Sequence, residues 1–411
     1  MGSLKLRQQG YPSLPFGSVT LFRLFSTAPH KLTTSPPLII ADAAALESLL
    51  DQWIDEPVVG IDTEAASFHR YRDRVYLVQL STPTATAIVD PLGTGGIEAF
   101  RRWFDADTTE FVFHDADYDL RLMHREAGLR VHRLFDTRIA AQFLNLPGIG
   151  LGAILEQRFS VATDKRFQRA DWSARPLSPE MVAYAATDTR FLPALRETFR
   201  NELEHVGRLE WVLEECVLQT GVEWAPADPP ELGFFRVKGA RDLDRRGLAI
   251  LRELFVWRER TAERLDRASF RVIGNETLLL LTEKRPRTPT ELPAVRGVGP
   301  DNAARWGAEI VAAIDRGLSV PDGELPVFER SPRFRPDPAF ETRLDRLKQW
   351  RTGFSARTGL PPGLLAPNAT LEGIARQVPA TSDALLTVPG VRRWQVAEFG
   401  DELLAEVGRA A

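Results

Sequence analysis

Hydrophobic positions in the first half of the chain form short runs that are typical of strands. The runs at 57–64, 74–80 and 86–89 are rich in β-branched and aromatic residues, and residues that favour turns bound each of them. A helical crossover between parallel strands needs about a dozen residues, and the links between these runs are shorter. The pattern therefore predicts three consecutive antiparallel strands.

Strands and helices alternate after these three strands. Apolar positions at helical spacing predict helices at 97–104 and 118–127, and short apolar runs predict strands at 111–114 and 134–135. Another helix is predicted at 43–54, and several more follow up to about residue 225. Antiparallel strands followed by alternating strands and helices indicate an α/β domain with a mixed sheet.

The second half of the chain is mostly helical and repeats itself. Beyond a Pro-rich hinge at 224–230, sliding the sequence by 93 residues, as from Trp257 to Trp350, aligns many identical residues without a gap. The matched pairs include Trp257/Trp350, Arg258/Arg351, Asn275/Asn368, Gly297/Gly390 and Glu309/Glu402. The repeat predicts two copies of one small helical module, joined by the Pro-rich segment 318–338.

Each predicted module contains a glycine-bearing turn that opens a helix, at 292–299 in the first copy and at 385–391 in the second. Backbone N–H groups at such a turn can bind a phosphate. A tight connection between two helices, with glycine in a left-handed conformation, would have the same sequence. Both interpretations are open at this level.

Acidic and basic residues are distributed unevenly along the chain. The net charge is -4, but residues 42–240 carry 21 basic and 32 acidic side chains, whereas residues 241–317 carry 15 and 12. Residues 341–409 are close to neutral, with 9 basic and 8 acidic side chains. The asymmetry indicates that the α/β domain and the helical modules have different tasks.

Composition excludes several classes of protein. Cys216 is the one cysteine, which excludes a disulfide framework and a zinc site built from cysteines and suits a reducing cytoplasm. No apolar run approaches the roughly 18 residues of a membrane-spanning helix, so we expect no membrane association. Residues 1–37 have the bias of a transit peptide or of a flexible extension, and we expect the extension.

Two carboxylates end the first of the three predicted strands. Asp62 and Glu64 are two residues apart, so both side chains project from one face of that strand. Such pairs are common in a chain with 56 acidic residues, but these two follow an apolar run that is typical of a buried strand. Neighbouring carboxylates repel each other unless a cation lies between them, and Mg²⁺ prefers such oxygen ligands. The pair is therefore a candidate metal site.

Further polar residues could join this pair. Asp115 and Asp117 are placed to cap the helix at 118–127, whereas Asp119 lies inside that helix, where capping does not explain it. Tyr184 and Asp188 are four residues apart and share one helical face. On spacing alone, an aromatic residue at a helix–sheet contact is the simpler explanation of Tyr184.

The order and sequence of these motifs resemble a known family. Residues 38 to about 220 are similar to the DEDD superfamily of 3′–5′ exonucleases, in its tyrosine-bearing subclass, and most closely to the ribonuclease D family. The similarity rests on D-T-E at 62–64, V-Y-L-V-Q-L at 75–80, V-D-P at 89–91, H-D-A-D-Y-D-L at 114–120, F-D-T at 135–137, D-W-S-A-R-P-L at 171–177 and Y-A-A-T-D at 184–188. The two helical copies resemble the HRDC modules that accompany this catalytic domain in that family.

The resemblance implies a fold and a division of the chain. The fold is an α/β ribonuclease H-like exonuclease domain, with a mixed sheet flanked by helices, followed by two small all-α HRDC-like domains. The expected segments are a flexible extension at 1–37, the exonuclease domain at 38–225, a linker at 226–240, the first HRDC-like domain at 241–317, a Pro-rich linker at 318–338 and the second HRDC-like domain at 339–408.

The resemblance also implies a chemistry. The acids Asp62, Glu64, Asp119 and Asp188 would bind two divalent ions, Mg²⁺ or Mn²⁺, and Tyr184 would orient or help deprotonate the attacking water. The expected reaction is hydrolysis of RNA from its 3′ end to nucleoside 5′-monophosphates. The expected substrates are the 3′ ends of structured RNAs, tRNA precursors among them. We expect a cytoplasmic enzyme without an obligatory protein partner.

Substrate-binding residues are expected around this centre. His114 lies in one motif, and Trp172 and Arg175 lie in a segment expected to line the substrate groove, where Trp172 could stack on a base. A plain core tryptophan is an equal alternative. His69, Arg70 and Arg72, in the turn after the first strand, are placed to approach the 3′ end, unless that turn is a solvated loop.

Two other functions fit the same residues. A non-catalytic RNA-binding scaffold would keep the fold without activity, although the complete set of four acids and Tyr184 argues against it. A 3′–5′ exonuclease acting on DNA would keep the chemistry, because no residue identifiably senses a 2′-hydroxyl. The paired helical copies favour RNA through the resemblance. The second copy departs from the usual module at 361–363, so whether it binds RNA is open.

Overall fold

A computed structural model of the protein describes residues 35–226, 229–329 and 338–409. Nearly all of the expected N-terminal extension, residues 1–34, lies outside these ranges. The described part comprises an α/β domain and two helical modules. None of its helices combines the length and the apolar character that crossing a lipid bilayer requires.

A six-stranded mixed sheet forms the centre of the α/β domain, as predicted. The strands are β1 (Leu38–Ile40), β2 (Val58–Glu64), β3 (Leu77–Ser81), β4 (Thr86–Val89), β5 (Glu110–Phe113) and β6 (Leu134–Asp136), in the order β1-β4-β3-β2-β5-β6. β3 is antiparallel to both β2 and β4, which confirms the predicted three-stranded unit, and the other pairs are parallel. The sequence does not predict β1, because it has only three residues and two of them are exposed.

Helices of the α/β domain pack against this sheet. They are α1 (Ala43–Trp53), α2 (Pro91–Thr94), α3 (Arg101–Asp105), α4 (Asp117–Ala127), α5 (Thr137–Phe143), α6 (Leu151–Phe159), α7 (Pro179–Arg190), α8 (Leu192–His205) and α9 (Leu209–Thr220). The helix predicted at 97–104 begins as a 3₁₀ turn, Glu98–Phe100, before α3. Trp103 and Phe104 of α3 pack edge to face on Phe111, which places β5 against the apolar core beside β2.

Gly60 allows α7 and α8 to approach the central strand β2 closely. A Cβ atom at this position would lie 2.9 Å from the Thr189 carbonyl oxygen and 2.9 Å from the Leu192 Cβ. The Thr189 hydroxyl also shares a hydrogen bond of 2.8 Å with the Ser81 hydroxyl on β3. Because a side chain at residue 60 would push the helices away, this glycine fixes the C-terminal end of α7 against the sheet.

Two helical modules make up the second half of the chain. The first contains α10 (Pro230–Gly233), α11 (Arg245–Arg264), α12 (Ser269–Val272), α13 (Asn275–Lys284) and α14 (Pro300–Ser319), and the second contains α15 (Pro338–Thr358), α16 (Pro362–Leu365), α17 (Asn368–Gln377), α18 (Ser382–Leu386) and α19 (Arg393–Gly408). Part of the expected linker 226–240 is not a linker, because Phe234, Val237 and Ala240 are buried in the core of the first module. The Pro-rich start of this segment hid the apolar residues that follow it.

The internal repeat holds at the level of single hydrogen bonds. The equivalent bonds are Trp257 Nε1 to Glu309 Oε2 (2.8 Å) and Trp350 Nε1 to Glu402 Oε2 (2.6 Å), then Arg258 Nη1 to Asn275 Oδ1 (2.6 Å) and Arg351 Nη2 to Asn368 Oδ1 (2.9 Å). Each pair joins the same two positions of the repeat. The two copies therefore share one bonded framework as well as one sequence pattern.

The two glycine turns are tight connections between helices. Gly297 and Gly390 have φ angles of +91° and +87°. A Cβ atom at Gly297 would lie 2.0 Å from the Thr277 hydroxyl, and one at Gly390 would lie 2.4 Å from the Thr370 hydroxyl. Left-handed backbone and close packing explain both glycines without a bound phosphate. The structure thus favours the tight-turn interpretation.

The second module packs on the α/β domain through the start of α19. The Trp394 ring stacks on that of Trp211 in α9, with 4.7 Å between the ring centroids. Glu214, also on α9, accepts hydrogen bonds from the backbone N–H groups of Arg393 at 2.7 Å and Trp394 at 2.8 Å. First-turn N–H groups have no partner within their own helix, and a carboxylate satisfies them well. The chain's own carboxylate therefore occupies this helix end.

Candidate active site

The central strand β2 supplies two carboxylates to a groove of about 610 Å³. Asp62 and Glu64 lie at its C-terminal end, and both line the groove. Gln79 lies directly opposite Asp62 on β3. As the two-residue spacing predicts, both carboxylates face the same side of the sheet.

Helix α7 brings Tyr184 and Asp188 to the same groove. Carboxylate oxygens of Asp62, Glu64 and Asp188 all lie within 4.8 Å of one another. The close approach of α7 to the sheet explains this arrangement, since Thr189 is fixed against β2 and β3 and Asp188 precedes it in the chain. Three predicted acids from two distant segments thus form one cluster.

Thr63 holds the fourth predicted acid, Asp119, beside this cluster. The Oδ1 atom of Asp119 accepts a hydrogen bond from the Thr63 N–H at 3.1 Å and another from the Thr63 hydroxyl at 2.5 Å. Asp119 lies on α4, is only 6% exposed, and also lines the groove. Because Thr63 lies between Asp62 and Glu64 in β2, its bonds bring Asp119 next to both.

Asp136, from β6, binds the backbone of the two residues that precede helix α4. Its carboxylate accepts hydrogen bonds from the backbone N–H groups of Asp115 at 3.0 Å and Ala116 at 2.9 Å. Ala116 is the N-cap residue of α4, and no side chain caps the helix. The Asp115 carboxylate pairs with Arg138 instead. The prediction that Asp115 or Asp117 caps this helix is therefore wrong, because the N-cap residue is Ala116, whose side chain cannot accept a hydrogen bond, and Asp136 binds the two N–H groups that precede the helix.

Burial and mutual repulsion disfavour the fully charged form of the cluster. Burial, and then the charges of Asp119 and Asp188, raise the pKa of Asp62 well above its usual value. Burial followed by the neighbouring carboxylates does the same to the pKa of Glu64. Burial raises the pKa of Asp119 and that of Asp188 to about 7. A positive charge in the groove would reverse these shifts.

A divalent cation fits this cluster. In the parts of the chain that the structure describes, no Lys or Arg side chain is paired with Asp62, Glu64, Asp119 or Asp188. Buried carboxylates without a cationic partner need a proton or a metal ion to compensate their charge. Several converging carboxylate oxygens are the ligands that hard divalent cations prefer. The four acids therefore have the donor set of a divalent-metal site.

Tyr184 contacts the cluster through Asp188. Its hydroxyl shares a hydrogen bond with the Asp188 carboxylate. Burial, and then the charges of Asp188, Glu64 and Asp62, raise the pKa of Tyr184 above its usual range. The hydroxyl therefore keeps its proton at neutral pH and acts as a hydrogen-bond donor.

Basic and neutral side chains line the rest of the groove. Arg138, Lys165 and Arg169 bring positive charge near the acidic cluster, as binding of a polyanion requires. His114 also lines the groove, and its Nδ1 lies 2.9 Å from the Thr137 hydroxyl. Burial lowers the pKa of His114 to about 4. It is therefore neutral at pH 7 and can offer a hydrogen bond but no charge.

Trp172 and Arg175 do not contact the groove. Trp172 is 1% exposed and packs 6.1 Å from the Tyr184 ring. The Arg175 guanidinium forks onto Asp90, with bonds of 2.6 and 2.8 Å, and donates to the Tyr76 carbonyl oxygen at 2.8 Å. The predicted base stacking and substrate contact are therefore wrong. The core alternative holds for Trp172, and structural bonds take up the Arg175 donors.

Three residues near the cluster were not singled out from the sequence. Thr63 holds Asp119, as described above. Gln79 is fully buried opposite Asp62, and neither atom of its amide has a hydrogen-bond partner within the described residues. Asp73 accepts a hydrogen bond from the Tyr118 hydroxyl at the edge of the groove. Thr63 and Gln79 lie inside the motifs D-T-E and V-Y-L-V-Q-L, so the sequence could have pointed to both as site residues. Asp73 lies in no such motif.

Two domain families match the chain. A family model described as a 3′–5′ exonuclease matches residues 37–204. The HRDC domain matches twice, at residues 247–314 and 340–407. These two matches fall on the two helical modules.

Curated relatives of similar length are ribonucleases D. The protein of that name from Granulibacter bethesdensis is 32% identical over 374 residues, which cover 90% of this chain and 92% of the relative. The one from Nitrobacter hamburgensis is 30% identical over 370 residues, covering 89% of this chain and 94% of the relative. Similarity at this level over nearly the whole length shows the family.

Solved structures have the same architecture. Escherichia coli RNase D, an exoribonuclease involved in structured RNA processing, matches with a TM-score of 0.66 at 23% identity, over 91% of this chain and 99% of that one. A mutant catalytic core of RRP6 from Trypanosoma brucei matches with a TM-score of 0.63 at 26% identity, over 70% of this chain and 82% of that one. The chain therefore belongs to the ribonuclease D family of 3′–5′ exoribonucleases and joins its exonuclease domain to two HRDC domains.

Proposed function

We propose that this exoribonuclease trims the 3′ ends of structured RNAs, with tRNA precursors among its substrates, and releases nucleoside 5′-monophosphates. The observation that carries the proposal is the cluster of Asp62, Glu64, Asp119 and Asp188 in a groove that also carries basic side chains. The role of the Escherichia coli protein in structured RNA processing supports the choice of substrate.

The four acids are the ligands of two divalent ions, Mg²⁺ or Mn²⁺, in this proposal. Such ions, when bound, stabilise the charge that develops on the attacking and leaving oxygens of a phosphodiester. Thr63 keeps one oxygen of Asp119 fixed through two hydrogen bonds. The carboxyl groups of Asp119 and Asp188 have pKa values of about 7, so binding of a cation displaces the protons that they still carry at neutral pH.

Tyr184 and His114 act on the water and on the RNA. The Tyr184 hydroxyl, held by Asp188 and protonated at neutral pH, orients the attacking water. His114 is neutral at pH 7 and donates or accepts a hydrogen bond at the groove wall, where it positions the substrate. Both roles fix geometry, which is a large part of what a hydrolytic site contributes to the rate.

Affinity for RNA comes from outside the acidic cluster. The domain that holds the cluster has an acidic excess, and the two modules have a small basic excess. Contacts between basic side chains and phosphates release counterions, so their contribution falls steeply with salt. We therefore expect the Michaelis constant for RNA to rise strongly between low and physiological salt.

The experiment uses 5′-labelled RNA and DNA of one sequence and a tRNA precursor with a 3′ trailer, each with Mg²⁺ or Mn²⁺. We expect one-nucleotide ladders on RNA that disappear with chelator and in Asp188→Asn. Asp105→Asn, which changes an exposed carboxylate at the end of α3 in the same way, is the matched control and should cleave normally.

Each alternative function has its own result in this experiment. Equal ladders on DNA and RNA would keep the mechanism and remove the RNA preference. Binding without cleavage by the wild-type protein would leave the scaffold function and overturn the proposal. A trailer that is degraded no faster than an unstructured RNA would remove tRNA precursors from the preferred substrates.

The location and the partners of the protein stay predictions. A cytoplasmic enzyme without an obligatory protein partner should be active as the purified chain. It should also fractionate with the cytoplasm of the cell.

A further inference from the structure

The first helical module binds the loop that leaves the catalytic strand β2. Arg70 and Arg72 of this loop pair with Asp266 at 3.2 Å and with Glu263 at 2.6 Å. The Ala268 N–H donates to the His69 carbonyl oxygen at 3.2 Å. The two arginines therefore contact the module, which is a correction of their expected approach to the 3′ end. The loop that follows Glu64 is thereby tied to the module.

An aromatic pair lies at this junction. Phe68, from the loop, lines the active-site groove and is 38% exposed, and Phe270, on α12 of the module, is 53% exposed. Their ring centroids are 6.0 Å apart and their planes meet at 76°. Because the edge of one ring meets the face of the other, the contact leaves ring faces free for a further partner. The Arg169 guanidinium lies 5.0 Å from the centre of the Phe68 ring, so Phe270 contributes the more open ring.

The second copy of the module shows which residues in segment 267–271 the fold of the module requires. Counting 93 residues onward, Phe270 corresponds to Gly363, Arg267 to Leu360 and Arg271 to Leu364. Leu360 is fully buried, whereas Arg267, Phe270 and Arg271 are all exposed. The framework bonds are the same in both copies, so the module does not require an aromatic or basic residue at these positions.

Charge and shape of the segment suit a single-stranded nucleic acid. The exposed Arg267 and Arg271 lie beside an exposed aromatic ring, next to a groove with three further cations. The Nε of Arg271 also donates a hydrogen bond to the Phe68 carbonyl oxygen, which ties Arg271 to the loop that lines the groove. Binding of single strands combines basic side chains, which contact the phosphates, with aromatic rings, on which bases stack. The corresponding segment of the second module, residues 360–364, has neither feature. Its Gly363 and Leu364 line a separate cavity together with Phe143 of α5 and Glu215 of α9.

We propose that residues 267–271 of the first module complete the substrate groove, with Phe270 as the stacking surface for a base just upstream of the 3′-terminal nucleotide. The inference rests on the proposed function and extends it, because it assigns a substrate contact to the first helical module. Phe68 lines the groove, and Phe270 contacts the Phe68 ring from the module. We place the base at the second to fourth position from the 3′ end, which is the range that the experiment tests.

The experiment is a cycle of two changes on the full-length protein. Single-stranded RNAs with one abasic nucleotide at the second, third or fourth position from the 3′ end are compared with the intact RNA, for wild type and Phe270→Ala. In the wild type, one abasic position should raise the Michaelis constant roughly tenfold, as expected for one lost stacking contact. In Phe270→Ala the intact RNA should already have the raised constant, and the same abasic position should change it no further.

Further variants separate stacking from a structural role. Phe270→Trp should restore the wild-type profile, and Phe270→Leu, which keeps an apolar side chain, should not. Leu386→Ala removes another exposed apolar side chain, in the second module, and should leave the profile unchanged. A 2-aminopurine at the sensitive position should be quenched by the wild type and not by Phe270→Ala.

The outcomes distinguish this inference from the proposed function. If the wild type makes no ladder on any RNA, both fail. If the wild type makes ladders and Phe270→Ala keeps the wild-type response to every abasic position, only the stacking role fails. A uniform loss in Phe270→Ala, equal for intact and abasic RNAs, would mean that the ring only holds the module in place and would also overturn the inference.

Discussion

The Thr63 hydroxyl lies 2.5 Å from Oδ1 of Asp119, and the Thr63 N–H lies 3.1 Å from the same oxygen. One residue of the central strand thus fixes a carboxylate that belongs to a helix 56 positions away in the chain. The bonds leave the other Asp119 oxygen for a ligand. Thr63 is therefore a positioning residue, placed between two of the acids that it serves.

Thr63→Val should lower kcat/KM for RNA roughly tenfold or more at a fixed, subsaturating metal concentration. A hydrogen bond to a charged group contributes about 1.5–3 kcal/mol, and valine keeps the shape while removing the hydroxyl. Thr63→Ser keeps the hydroxyl and should stay close to wild type. Equal activity of the valine and serine variants would contradict the positioning role.

The stability of the chelated protein should fall as the pH rises from about 5 to 7.5. The folded-state pKa values of Asp119 and Asp188 are about 7, above the usual value of 3.8. Between pH 3.8 and about 7 the folded state therefore binds more protons than the unfolded state. The free energy of unfolding falls with rising pH in this range, until the pH passes the folded-state pKa.

The difference between wild type and Asp188→Asn isolates the contribution of Asp188 together with its repulsion of Asp62 and Glu64, because groups outside the cluster titrate equally in both. In thermal unfolding with chelator, we expect Asp188→Asn to gain stability relative to wild type as the pH rises, by about 1.4 kcal/mol for each pH unit of the shift that it removes. Parallel melting curves across this range would contradict the raised pKa of Asp188.

Mn²⁺ should stabilise the wild-type protein at pH 7.5. An ion that binds only the folded state raises the free energy of unfolding by mass action, by about 2.7 kcal/mol at a hundred times its dissociation constant. Glu64→Gln removes one ligand and should show a smaller rise in Tm at the same concentration. Identical shifts for both proteins would place the binding site elsewhere.

Glu214→Ala should loosen the second module from the α/β domain. The change leaves the backbone N–H groups of Arg393 and Trp394 without their carboxylate partner, and loss of such a cap costs about 0.5–2 kcal/mol. Hydrogen exchange at these two amides should become faster. Glu214→Gln keeps an acceptor oxygen, so its exchange rates at these amides should lie between those of the wild type and the alanine variant. Unchanged exchange in the alanine variant would mean that the remaining contacts hold the module, namely the Trp211–Trp394 stack and the bonds of Glu215 to Arg392 and Trp394.

The sequence was sufficient for the parts of the site that lie in ordered motifs. The strand that ends in Asp62 and Glu64 could be read from its apolar run, and the repeat located both helical modules. The sequence could not place Trp172, because a tryptophan serves equally well in a core and under a base. It also could not show that Asp136 binds the backbone just before α4, since that contact depends on the pairing of β5 with β6.

Contacts between domains were the least predictable feature. Arg72 and Phe270 are residue types that are common on nucleic-acid-binding surfaces, yet Arg72 pairs with Glu263 of the first module and Phe270 packs on Phe68 of the α/β domain. Glu214 gives no local sign that it would meet a helix end 179 positions away. Such contacts depend on how whole modules pack, and hydrophobic periodicity within one element carries no information about that.

The duplicated framework makes the two modules interchangeable in parts. Since equivalent tryptophan–glutamate and arginine–asparagine bonds hold both copies, an exposed residue such as Phe270 can be exchanged for its counterpart Gly363 without touching the bonds that fold the module. A chain that carries both versions thus offers a built-in template for graded redesign. Exchanging residue 270 for its counterpart would vary how firmly the enzyme holds its substrate between successive cuts, while the metal site stays the same.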